Sequence, residues 1–79
     1  MHEDLGGLDL DDLRCFLAAA RQLSFRRAAG EVSLSPAAFS NRIARLEGRL
    51  GAALFVRTTR QVGLTAAGER LMPRARRLL

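Results

Sequence analysis

The segment from Ser24 to Leu50, SFRRAAGEVSLSPAAFSNRIARLEGRL, leaves few folds open, because it holds two helical patterns divided by a break only long enough for a tight turn. Phe25, Ala28, Ala29 and Val32 recur at i, i+3, i+4 and i+7, the spacing of a helix with one buried stripe. Ser24 is placed to cap it. Val32-Ser33-Leu34-Ser35 then interrupts the pattern, Ser35 is suited to cap a second helix, and Pro36 falls at its first position, where a missing N–H costs nothing. The second helix is predicted to begin at Pro36.

Its faces are sharply divided. At about 100° per residue, Phe39, Ile43, Leu46 and Leu50 share one narrow sector, the predicted buried side. Opposite lie Ala37, Asn41, Ala44 and Gly48, all small, with Arg42, Arg45 and Arg49 on one flank and Ser40 on the other. A solvated helix gains nothing from small residues along its outermost line, and Gly48 costs about 1 kcal/mol against alanine. A helix that presses into a groove does gain: small side chains let the backbone approach base edges, and flanking arginines reach phosphate or guanine.

Around this pair the chain reads in order. Residues 1–8, MHEDLGGL, lack periodicity and are expected to be a mobile leader. Asp9 is a plausible N-cap, with Asp11 and Asp12 in the first turn of a helix whose buried face is Leu10, Leu13, Phe16, Leu17 and Ala20 and whose end falls near Leu23. This helix is expected to complete a three-helix core. Gly51 is suited to end the helix that starts at Pro36. Leu54-Phe55-Val56 and Val62-Gly63-Leu64 flank a polar tip and predict a small β-hairpin. Arg57 at its base and Arg60 near its tip suit a wing that enters a minor groove, though a solvated loop would also carry them. Thr65 is placed to cap a last helix with an apolar stripe of Leu71, Met72, Ala75, Leu78 and Leu79, wide enough to need a partner. Pro73 is expected to bend or divide that helix. The pattern stops at Leu79 without a cap, so residues 1–79 are expected to be the front of a longer protein.

Charge narrows the partner. The net +5 conceals an asymmetry: five of eight acids fall within the first twelve residues, so Leu13 onward carries thirteen arginines against three glutamates, +10. Such a body points to a polyanion, nucleic acid before an anionic membrane surface. A single cysteine, Cys15, excludes a disulfide framework, and the single histidine, His2, excludes a histidine-built metal or catalytic cluster. No cofactor and no enzymatic chemistry are expected: no phosphate loop, no activated nucleophile and no paired carboxylates in a cleft stand in the sequence. With neither a signal peptide nor a membrane-length apolar run, a cytoplasmic location is expected.

Three segments, SFRRAA, SPAAFSNRIARLEGRLGAALFVRTTR and LTAAGERL, occur together and in order, and with them Leu13 to Leu79 resembles the N-terminal DNA-binding domain of the LysR-type transcriptional regulators. The resemblance implies a mainly α winged helix-turn-helix over residues 9–64, with three core helices and a hairpin wing, followed by a linker and dimerisation helix over 65–79 formed by the stripe from Leu71 to Leu79. It implies double-stranded DNA and a second copy of the chain as partners, no membrane, and a small-molecule effector held by a domain after residue 79. Carried over by position, groove contacts fall to Ser35, Pro36, Ala37, Ser40, Asn41 and Arg42, with Arg45 on the same arginine flank. Backbone contacts fall to Ser24, Arg27 and Thr65, and wing contacts to Arg57 and Arg60. Where the family often has Ser-Gln-Pro-Ala-Leu-Ser-Arg, this chain has Ser35-Pro36-Ala37-Ala38-Phe39-Ser40-Asn41, so Asn41, suited to adenine, replaces an arginine. The competing expectation is a protein-interaction module that dimerises through the last helix while its basic faces are merely solvated.

Overall fold

The computed structural model describes residues 10–58 and 61–79. The leader, the Asp9 cap and Arg60 lie outside the described residues. Six elements follow in order: α1 (Leu10–Gln22), α2 (Phe25–Glu31), α3 (Pro36–Leu50), β1 (Phe55–Arg57), β2 (Val62–Leu64) and α4 (Ala66–Leu78). The strands form one antiparallel hairpin in the register Phe55↔Leu64, Val56↔Gly63, Arg57↔Val62. This is a winged helix-turn-helix with a helix appended.

The boundaries follow from local chemistry. Ser24, Ser35 and Thr65 each accept a hydrogen bond from the backbone N–H three residues on, those of Arg27, Ala38 and Gly68, satisfying a donor that a helix start leaves open. α1 ends at Gln22, and Leu23, at φ 50°, turns the chain into α2. Between α2 and α3 the N–H of Ser33 bonds the carbonyl of Gly30 and that of Leu34 bonds the carbonyl of Ala29. This paired closure needs a left-handed residue at its centre, which here is Ser33 at φ 60°. Gly51, at φ 70°, ends α3 by donating to the Glu47 carbonyl.

The core gathers all four phenylalanines. Phe25 stands edge-on to Phe39 and Phe55 with centroids 5.4 Å apart in both pairs, and Phe16 lies 5.6 Å from Phe55. Rings from α1, α2, α3 and β1 thus meet at one point and set the angles among those elements. Leu13, Ile43, Leu46 and Leu54 close around them.

Two expected buried faces are corrected. Leu10 is 51% exposed, whereas Asp12, Cys15, Ala18 and Ala19 are buried. α1 packs against α2, α3 and α4 and is therefore covered on more than one side. Leu50 is 38% exposed: it is the last residue of α3 and lines an open hollow with Leu54 and Leu71. Pro73 does not divide the last helix, which runs unbroken from Ala66 to Leu78. Proline removes one donor, while burial of Leu71 and Ala75 holds the turns on either side.

The start of α4 is tied to the end of the α3–β1 loop. The Thr65 hydroxyl donates to the Ala53 carbonyl at 2.6 Å and the Thr65 N–H donates to the Leu54 carbonyl at 3.0 Å. Gly68 presses against this junction: a Cβ there would stand 2.3 Å from the Leu54 carbonyl oxygen. On the other side the Glu47 carboxylate accepts from the N–H groups of Leu54 at 2.8 Å and Phe55 at 3.3 Å.

Candidate nucleic-acid interface

α3 presents the ridge its sequence predicts. Phe39, Ile43 and Leu46 are buried, while Ala37, Asn41, Ala44 and Gly48 are exposed along the opposite side. A Cβ added at Gly48 would meet nothing within 4 Å, so no contact inside the chain accounts for glycine there. The narrow outer line leaves the backbone accessible to a flat or grooved partner. Ser35 and Pro36 are exposed at the leading end, and Ser40 is half-buried on the flank. The Ser24 and Ser35 hydroxyl oxygens serve as caps, and each hydroxyl still has its own hydrogen to donate.

The arginine flank is organised by a residue the sequence reading placed elsewhere. Asp12, expected as a helix-dipole residue, has no exposed side-chain surface, and its Oδ1 accepts from Arg42 Nη1 at 3.3 Å and Arg45 Nη2 at 3.2 Å. A buried carboxylate requires such partners. The Arg42 and Arg45 side chains keep 32% and 51% of their surface in solvent. The signal was present: Asp12, Cys15, Phe16 and Ala19 follow i, i+3, i+4, i+7, which puts an acid at the head of an apolar stripe.

On the wing, the Arg57 guanidinium lies 4.6 Å from the centroid of the Phe25 ring. Stacking on an aromatic face leaves the in-plane N–H groups available. Arg27 is exposed on α2. Thr65 is different, since its hydroxyl hydrogen and its N–H are both committed inside the chain. In this fold its side chain ties the start of α4 to the α3–β1 loop. On α4, Leu71 and Ala75 are covered by the chain's own core, while Met72 is half-buried and Leu78 and Leu79 are exposed.

A basic helix-turn-helix with a free outer ridge on its second helix and an arginine on its wing defines a DNA-binding domain of the winged type. Residues 10–69 match the family described as bacterial regulatory helix-turn-helix protein, lysR family. The chain belongs to that family. It is 58% identical over 66 residues to the uncharacterized HTH-type transcriptional regulator y4mQ of Sinorhizobium fredii, a match covering 84% of this chain and 22% of that protein. To the HTH-type transcriptional activator AmpR of Yersinia enterocolitica it is 48% identical over 66 residues, with the same coverage of 84% and 22%. The chain thus spans about a fifth of the length of these relatives.

Among solved structures, the DNA-binding domain of BenM in complex with catB site 1 DNA aligns with a TM-score of 0.85 and 32% identity, over 90% of this chain and 79% of that one. The DNA complex of the CbnR DNA-binding domain aligns at 0.86 and 31%, over 90% and 82%.

Proposed function

We propose that this chain reads duplex DNA through the outer ridge of α3, as the DNA-binding part of a cytoplasmic transcriptional regulator that acts as a dimer. α3 enters the major groove. Asn41 pairs with adenine, Ser35, Pro36, Ala37 and Ser40 make close contacts along the groove, and Arg42 and Arg45 hold its edge. Ser24 and Arg27 contact phosphates, Arg57 extends the wing toward the minor groove, and Arg60 is assigned to the same role on the sequence alone. One observation carries the reading: Ala37, Asn41, Ala44 and Gly48 stand exposed in line, opposite buried Phe39, Ile43 and Leu46. The DNA complexes solved for BenM and CbnR support it, since both align with most of this chain.

Met72, Leu78 and Leu79 on α4 provide the surface toward a second copy, and an effector is bound by a further domain of the regulator. Two recognition helices then address half-sites about 34 Å apart, one turn of the duplex. The test is Asn41→Ala. Sequences selected from random duplex by this variant are expected to lose preference at one base step per half-site, a loss of about 1–3 kcal/mol of discrimination. Unchanged preference at every position would remove Asn41, and the ridge orientation with it, from base reading.

A further inference from the structure

Asp12 is buried on α1, outside the ridge, yet both of its ion-pair partners lie on the arginine flank of α3. We propose that Asp12 is a positioning residue for DNA discrimination, holding Arg42 and Arg45 in place before DNA arrives. The inference rests on the DNA-binding reading above.

Each guanidinium has five N–H donors, and the structure shows one nitrogen of each engaged with Asp12 Oδ1. Most of the donor set therefore remains available, while about a third of the Arg42 side-chain surface and half of that of Arg45 face solvent. An untethered arginine on a helix flank reaches any nearby phosphate, which adds to affinity for every sequence alike. A tethered one reaches only where its stem points. The ordering entropy is also met on folding rather than on binding. The carboxylate further cancels one of the two positive charges at this edge, which lowers the attraction for random duplex. Asp12 thus favours the ratio of specific to non-specific affinity at the expense of total affinity.

The experiment measures that ratio for Asp12→Asn with two duplexes, one selected from random sequence by the wild-type chain and one scrambled, each titrated across salt. Both affinities come from one preparation, so any unfolded fraction cancels in the ratio, and a merely structural role leaves it unmoved. The expected result is tighter binding to the scrambled duplex, a salt slope steeper by about one, and a ratio reduced by about tenfold, within the range one base contact contributes. In an Arg42→Gln, Arg45→Gln background the same Asp12→Asn change is expected to leave the ratio where it stands.

A ratio within twofold of wild type, or an effect undiminished in the arginine-free background, overturns the proposal. Should Asp12→Asn fail to fold, NMR of the wild-type guanidinium groups supplies the answer. Restricted rotation of Arg42 and Arg45 both free and on the selected duplex supports the tether, and free rotation in the unbound chain overturns it. A wild-type chain that retains neither duplex refutes the DNA-binding reading, and this one with it, before any variant is made.

Discussion

Individual residues carry two kinds of constraint here, and only one is visible along a sequence. Ser33 holds φ 60° at the centre of the helix-turn-helix turn, a conformation that costs a non-glycine residue about 1–2 kcal/mol, partly offset by its smaller backbone entropy in the unfolded chain. Ser33→Gly is expected to raise stability by about 0.5–1 kcal/mol, read as a higher urea midpoint with an unchanged slope. Gly68 is the opposite case. Its absent side chain lets α4 approach the Leu54 carbonyl, and because backbone cannot step aside, Gly68→Ala is expected to lose about 1–3 kcal/mol in the same assay. The serine caps were legible because capping depends on residues three apart. The roles of Asp12 and Gly68, and the tie from Thr65 to the α3–β1 loop, were not, since each is set by a partner twelve or more positions distant in sequence.

Elements of this fold are fixed more by what joins them than by their own propensity. β1 and β2 span three residues each, too short to stand alone. The hairpin is held at its root by the Glu47 carboxylate, which accepts from the N–H groups of Leu54 and Phe55, and by Phe55 within the aromatic cluster. Glu47→Ala leaves two donors of buried residues without that acceptor, and a loss of about 1–3 kcal/mol is expected. Hydrogen exchange checks the location of the damage: protection should fall first at Leu54, Phe55 and the strand amides, with α1 less affected. α3 was readable to its first and last residue because Ser35, Pro36 and Gly51 punctuate it. The buried face of α1 was misjudged because a helix covered by three neighbours no longer shows a single stripe. The stripe on α4 was seen, but two of its five residues, Leu71 and Ala75, are closed over by the chain's own core.

At the scale of the whole molecule, charge and shape act together. The body from Leu13 onward carries +10, and its described part extends 39 × 26 × 20 Å with a single helix-turn-helix. Under the proposed function one copy is expected to read one half-site, and a dimer two. Fold class and the exposed ridge of α3 were legible from the pattern between Ser24 and Leu50 together with the arginine excess, because amphipathic period and net charge are properties of sequence. The contact geometry of individual arginines was not, since Asp12 redirects two of them through the tertiary fold. The most direct test is titration of the chain against a selected and a scrambled duplex from low to physiological salt. DNA reading through α3 predicts a linear fall of log affinity with log salt, and a selected duplex held at least about a thousandfold more tightly than the scrambled one. Equal affinity for the two, or no retention of either at low salt, would contradict it.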